Sequence, residues 1–380
     1  MSDPKAPPRI LHCHSTFAIG GKERRAVQLM NAFGKRLEHT VVSGVEGRLE
    51  ARELVARGVK VRYPEDFPKL TGRPSPGRLV TIAQALKGYD LVLTYNWGAM
   101  DVVLAHTVFG KTFGLPPLIH HEDGFDGADG SERNRRMRSV YRRIALEGAD
   151  ALVVPSRTLE TIALKRWHQK PSRITRIPNG IDTRAFAARP KPAALRVVKR
   201  RGEKWVGTLA ALRPVKRLDQ LVEAFALLPP HWQLVILGEG ETREAIGAAA
   251  RRCGIEDRVH LPGNVSDPAS VIGLFDIFAL SSASEQFPLS LVEAMAAGLP
   301  VAASDVGDVR AILAEENASF LTPPGDPKAL GEAMDELAAD ADLRKEIGKA
   351  NRARAREQFD EAAMIERYRA LYAQHLGRDF

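Results

Sequence analysis

The sequence predicts an α/β protein built from two doubly wound domains, each a parallel sheet wrapped by helices. Three observations carry that prediction. Short β-rich apolar runs alternate with amphipathic helical runs through both halves, the pattern of parallel strands joined by helical crossovers. At 380 residues the chain is longer than one hydrophobic core usually organises. Near the middle, Ala187-Ala-Arg-Pro-Lys-Pro-Ala193 reads as a linker, because its prolines interrupt regular structure. The expected domains are residues 1–188 and 194–360, with a terminal helix over about 361–380.

Strand candidates in the first half are residues 9–14, 40–43, 91–95, 117–120, 151–155 and 174–177. In the second half they are 204–208, 233–237, 259–261, 277–280, 301–304 and 319–322. The Ala-rich segment near 329–341 and the tail from Asp360 to Leu376 read as helices. No run of eighteen apolar residues is present, so a spanning helix is not expected. The first residues, Met-Ser-Asp-Pro-Lys-Ala-Pro-Pro, lack the apolar core of a secretory signal, and the expected location is the cytoplasm. Cys13 and Cys253 lie far apart in apolar contexts, without metal-ligand spacing, and read as reduced thiols.

The most informative segment is Glu285-Gln-Phe-Pro-Leu-Ser-Leu-Val-Glu293, which follows the apolar run 277–280. Pro288 suits the start of a helix, where its missing N–H costs nothing. Leu289, Val292 and Met295 then repeat at helical spacing until Gly298 and Pro300 end the run. Glu285 falls on the loop before the helix and Glu293 about two turns further on. Backbone N–H groups from Phe287 to Ser290 point out of the helix start, where the dipole favours an anion. An acceptor for sugar hydroxyls, an anion cradle and a second hydroxyl acceptor together suit a nucleotide sugar.

The form EQFPLSLVEAMAAGLPV resembles the signature of retaining glycosyltransferase family 4, the group 1 glycosyltransferases. The resemblance implies two Rossmann-like domains facing a cleft, the B fold, with the last helix crossing back onto the N-terminal domain. It also implies that Glu285 contacts the transferred sugar and Glu293 the ribose. The common form has Gly where this chain has Gln286. Upstream, Val206-Gly-Thr-Leu-Ala-Ala-Leu-Arg-Pro-Val-Lys resembles the loop whose Arg and Lys grip the donor diphosphate, here Arg213 and Lys216. Two fixed cations there would offset charge growing on a departing diphosphate. In many members the Arg stands earlier in the loop. Leu237-Gly-Glu-Gly-Glu-Thr is no dinucleotide fingerprint, since Arg243 occupies the third glycine position. Residues 259–263 fall where the family reads the base through its backbone.

In the first half, Gly20 and Gly21 resemble the loop that closes over the diphosphate, and also satisfy a tight strand-to-helix turn. His120 aligns with the family histidine beside donor sugar and acceptor, with His121 as the second choice. Asn96 and Trp97 are acceptor candidates, though Trp97 equally suits a core. Glu122, Asp123, Asp126 and Asp129 fit neither a calcium loop nor an Asp-x-Asp metal motif, so no metal is expected.

The net charge of +8 favours anionic partners. Six arginines between Arg133 and Arg143, interleaved with Met137, Val140, Tyr141 and Ile144, form a basic amphipathic helix. Arg135, Arg138 and Arg142 are candidates to meet an anionic membrane; a solvated face is the other reading. No recognised nucleic-acid module accompanies the helix, and nucleic acid is not an expected partner.

The expected function is metal-independent, retaining transfer of a sugar from a nucleotide-diphosphate sugar, UDP-sugar favoured, with no cofactor. The acceptor would be a glycan or lipid-linked hydroxyl, reached at the inner face of the cell membrane. The alternatives are a sugar-nucleotide epimerase or hydrolase of the same fold, and a non-catalytic sugar-nucleotide or membrane-binding protein.

Overall fold

The computed structural model describes residues 6–124 and 132–380; Asp126 and Asp129 lie outside them. The chain divides into two compact units, one running to Pro178 and including Met364–Phe380, the other Asn179–Ala363.

The first unit holds strands β1 (Arg9–His14), β2 (Glu38–Ser43), β3 (Val61–Arg62), β4 (Leu91–Tyr95), β5 (Leu118–His121), β6 (Ala151–Val154) and β7 (Ile174–Arg176). Its helices are α1 (Gly21–Phe33), α2 (Pro76–Leu86), α3 (Met100–Phe113), α4 (Glu132–Ala145) and α5 (Arg157–Lys165). The second unit holds β8 (Lys204–Leu209), β9 (Trp232–Leu237), β10 (Val259–Gly263), β11 (Ile277–Leu280), β12 (Val301–Ser304) and β13 (Leu321–Thr322). Its helices are α6 (Thr183–Ala187), α7 (Leu218–Phe225), α8 (Arg243–Arg252), α9 (Leu289–Ala296), α10 (Val309–Ile312), α11 (Pro327–Ala339) and α12 (Ala341–Gln358). The last helix, α13 (Glu361–Leu376), begins in the second unit and ends in the first.

All pairings are parallel, in the orders β3-β2-β1-β4-β5-β6-β7 and β10-β9-β8-β11-β12-β13. The inner strands of the second unit are largely apolar on both faces, as a sheet covered on both sides requires, whereas β1, β4 and β5 of the first carry buried His12, His14, Thr94, His120 and His121 among their apolar residues. In the first unit the alternation of side chains sends Ile10, Leu93 and Ile119 towards α1 and α13, while Leu11, Val92 and Leu118 pack with α2 and α3. Met364, Tyr368, Leu371 and Tyr372 of α13 complete the first of these cores. In the second unit Phe278 and Ala303 pack with α9, and Ile277 and Ala302 with α7, α8 and α11.

Three details differ from the sequence expectation. The unit boundary falls at Pro178, ahead of residues 187–193. The intervening segment is knitted into the second unit: Ile181 pairs with Asp360, the Asp182 carboxylate caps α6, and Lys191 N donates to Ser270 O at 2.7 Å. Residues 315–320 form a 3-10 helix, which shortens the strand expected over 319–322 to two residues. Asn317 is drawn to β12 there, accepting from Val301 N at 3.0 Å and donating to Val301 O at 2.6 Å. The two-residue edge strand β3 has no sequence signal of its own.

Candidate functional site

In each unit the strand order reverses about its first strand, between β8 and β11 in the second unit and between β1 and β4 in the first. Loops leaving two such strands diverge to opposite faces, and ligands of doubly wound sheets bind where they part.

In the second unit the two loops are stitched together at that point. Ser281 Oγ donates to Lys216 O at 2.9 Å, and Ala283 N donates to Val215 O at 2.8 Å. Between them Lys216 Nζ meets Glu285 Oε1 at 2.6 Å, and Ser282 Oγ donates to the same oxygen at 2.6 Å. Both charges are largely withdrawn from solvent, with side chains 18% and 9% exposed, which raises the strength of their interaction. Lys216 and Glu285, far apart in sequence, are thus brought together. Arg213 is not part of this contact; its side chain is exposed on the same loop.

Two glycines shape the surroundings. Gly307, at φ +56, presses against the Glu285 carbonyl, so that a Cβ there would lie 2.0 Å from the oxygen. Gly238, at φ +145, does the same to the Ala210 carbonyl of the Lys216 loop, at 1.9 Å. The glycine pair after β9 therefore serves backbone contact with that loop. Helix α9 starts at Leu289 with Pro288 as its N-cap, which puts Glu293 about one turn inside rather than two. The amides of Leu289 and Ser290 lead the helix and point out of its start. Phe287 is buried against Phe359, ring centroids 5.6 Å apart, and anchors the loop.

In the first unit Gly20 caps α1 in an extended conformation, and Lys22 Nζ donates to Thr16 O at 3.3 Å and pairs with Glu23. His120 has no exposed surface; its Nδ1 lies 2.8 Å from Thr94 Oγ1 and its Nε2 3.7 Å from Glu122 Oε2. His121 faces the other side of the sheet, its Nε2 3.2 Å from the Tyr372 hydroxyl. Burial, then the Arg25 charge, holds His121 well below the ordinary histidine range, hence neutral. Asn96 adopts φ 55, ψ −170, a region almost reserved for glycine, and ties the ends of β4 and β5 together. Its N donates to His121 O at 2.8 Å, and its Oδ1 accepts from Asp123 N at 2.7 Å.

The sequence presents Asp123 as one of several carboxylates after β5 and does not reveal its pairing with Arg25. Its carboxylate takes both terminal nitrogens of Arg25, with Nη2–Oδ2 at 2.8 Å, at the carboxyl edge of β5. The signal is the abrupt polar turn Glu122-Asp123 at the end of the strand, directly after His120 and His121. Among the described residues, no group of three or more His, Cys, Asp or Glu is arranged to hold a metal ion.

The membrane-surface assignment of Arg142 is corrected. Arg142 is buried, donates from Nε to Glu122 Oε2 at 2.9 Å, and lies over the rings of Trp97 and Trp167 at 5.0 and 5.1 Å. Arg138 stacks on Trp97 at 5.3 Å, leaving Arg135 exposed. An inward arginine survives because its guanidinium is paired and its planar face packs on indole. The outward face of α4 instead carries Met137, Val140 and Ile144, each more than half exposed, beside exposed Arg133, Arg136 and Arg143. Among the described residues no helix is long and apolar enough to cross a membrane.

Residues 195–354 match the family described as glycosyl transferases group 1, and residues 19–185 match glycosyltransferase family 4. The D-inositol 3-phosphate glycosyltransferase of Mycobacteroides abscessus is 30% identical over 327 residues, 82% of this chain and 72% of that protein. The chain belongs to the group 1 glycosyltransferases. This glycosyltransferase is also similar to the N-acetyl-alpha-D-glucosaminyl L-malate synthase of Bacillus anthracis, at 26% identity over 74% of this chain and 73% of the relative. HepE of Anabaena, solved in complex with UDP, shares the fold with TM-score 0.80 at 20% identity, covering 96% of this chain and 100% of that one. The two parallel-sheet units are those of the glycosyltransferase B fold, and the enzyme takes its sugar from a nucleotide sugar.

Proposed function

We propose that this enzyme is a retaining, metal-independent glycosyltransferase that moves a hexose from a UDP-sugar to a hydroxyl of a glycan or lipid-linked acceptor. The observation that carries the reading is the Lys216–Glu285 contact across the β8/β11 crevice, beside the start of α9. Donor diphosphate entering there meets the Lys216 ammonium, the exposed Arg213 and the leading amides of α9, all of which favour phosphate oxygens. These fixed positive groups offset the charge that grows on the diphosphate as it departs, the work a divalent ion does elsewhere. Glu285, on the facing loop between β11 and α9, accepts from hydroxyls of the sugar, and Glu293 from the ribose. HepE binds UDP-glucose in one of its structures, which supports uridine as the base and glucose as one sugar to test.

Thermal shift with UDP-, GDP-, ADP- and CMP-sugars tests the donor. Ligand at a hundred times its dissociation constant adds about 2.7 kcal/mol, and Glu293→Ala should abolish the shift. No shift with any sugar nucleotide would defeat the reading. Proton NMR of the product tests retention, and unchanged rates in EDTA test metal independence. Altered free sugar formed without acceptor would point instead to an epimerase or hydrolase.

The outward face of α4 favours a lipid-linked acceptor. Apolar side chains at spacing i, i+3, i+7 flanked by arginines suit the headgroup region of an anionic bilayer. Sedimentation with anionic vesicles, lost in Val140→Asp, is the expected result. Equal binding to neutral and anionic vesicles, or to neither, would remove this part of the proposal.

A further inference from the structure

Gln286 follows Glu285 directly, at a position where the common form of the motif has no side chain. Both ends of its carboxamide, Oε1 and Nε2, are sealed from solvent, and neither has a hydrogen-bond partner. Among the described residues it is the one side-chain amide left in that condition.

The structural amides of the same unit behave differently. Asn317 is bonded at both ends to the backbone of Val301. Asn351 accepts from Ala314 N at 3.2 Å and donates to Leu299 O at 2.9 Å and Asn317 Oδ1 at 2.7 Å. A buried amide kept for architecture is satisfied by architecture, since each orphaned group forfeits the bonds that water gave it in the unfolded chain. The backbone that carries Gln286 is firmly held: Gly307 presses on the preceding carbonyl, while Lys216 and Ser282 hold the preceding carboxylate. On that fixed base, one residue from the carboxylate assigned to the sugar, a turn of the partly exposed side chain would carry the orphaned amide out of its sealed position to a bound hydroxyl, which satisfies it.

We propose that Gln286 is a specificity-determining residue that reads hydroxyls of the donor hexose, an inference that rests on the donor-site reading above. A carboxamide offers two donors and two acceptors, and a sugar hydroxyl is both donor and acceptor. One end of the amide can therefore give a hydrogen bond to one hydroxyl while the other takes a hydrogen bond from its neighbour. An epimer that turns either hydroxyl away leaves the amide orphaned again. Rejection by an unsatisfied buried polar group is much stronger than rejection by shape alone.

The test uses the full-length enzyme and two variants, Gln286→Met, which keeps length without polarity, and Gln286→Glu, which keeps shape but loses the donor. Calorimetric affinities are measured for UDP, UDP-glucose, UDP-galactose, UDP-N-acetylglucosamine and GDP-mannose, with donor hydrolysis rates for each. The expected result is a drop of about tenfold or more in the ratio between the best and second-best sugar in Gln286→Met. UDP affinity should stay within about twofold and the melting temperature should hold or rise, because an orphaned amide has been replaced by an apolar chain. A lower melting temperature with an unchanged sugar ratio would show a structural role and overturn the proposal. So would a wild-type enzyme that binds UDP yet treats the sugars alike. Failure of wild type to bind UDP or any sugar nucleotide is a separate outcome: it defeats the donor-site reading, and this inference with it.

Discussion

The two units share one strand order but furnish it with opposite chemistry. In the second, the sheet interior is apolar and the polar groups stand on the loops beyond it, Lys216 against Glu285. In the first, the polar groups lie inside the sheet. His12 Nε2 is 3.0 Å from His39 Nδ1, His12 Nδ1 is 3.1 Å from the Tyr95 hydroxyl, and His14 stacks on Tyr95 with ring centroids 3.9 Å apart. Strand periodicity explains the cluster: His12, His14, Tyr95 and His121 share one face, with His39 adjoining across β2. The contrast teaches that one topology can place paired charges on the loops beyond the sheet, or hold neutral polar groups dry beneath the loops. The two arrangements fail in different ways when perturbed.

The largest effect is expected where the first unit does carry a buried charge. Arg142→Met leaves the Glu122 carboxylate, 1% exposed, without its guanidinium. Breaking a buried pair on one side costs about 3–5 kcal/mol, a large part of a typical folding free energy. Urea unfolding should show that loss; a change below about 1 kcal/mol would mean that solvent reaches Glu122. In the second unit the corresponding change acts on chemistry. On the proposed reading, in which the carboxylate faces the sugar, Glu285→Gln should lower kcat by about 10²–10³ while UDP affinity changes little. Equal losses in rate and affinity would reassign Glu285 to the nucleotide. Lys216→Met should weaken UDP binding by about tenfold or more, the worth of a charge-assisted hydrogen bond. Calorimetry reads it directly, and unchanged affinity would shift the phosphate contact to Arg213.

Twelve of the thirteen described strands were legible because they carry short β-rich apolar runs bounded by turns. The paired carboxylates and the Lys216 loop were legible because their side chains stand at the ends of such runs. Which of them touch was not, since the contact depends on the order in which strands join the sheet. The inward course of Arg142 was equally hidden. A helical arginine reads as surface until Trp97, Trp167 and Glu122, drawn from three other segments, are found around it. The pairing of Asp123 was hidden because its partner, Arg25, lies 98 residues away in sequence.

The histidines of the first unit supply the subtlest test of the contrast. Burial, and for His12 the nearby His39, His14 and His121, holds His12, His14 and His121 well below the ordinary value, and His39 at about 4. The unfolded chain takes up a proton at each near pH 6.5, whereas the native chain does so only at lower pH. Stability from these groups is therefore complete above about pH 6.5 and is lost as pH falls below it, by up to about 1.4 kcal/mol per histidine per pH unit. Hydrogen exchange at pH 7.5 and 5.5 should show residues 9–14 and 118–121 losing protection while 232–237 keeps it. His12→Leu should remove about one proton from the slope of stability against pH, whatever it does to stability at pH 7.5. Parallel loss of protection in both units would place the acid-sensitive groups elsewhere, and would separate the buried imidazoles from any part in the difference between the two sheets.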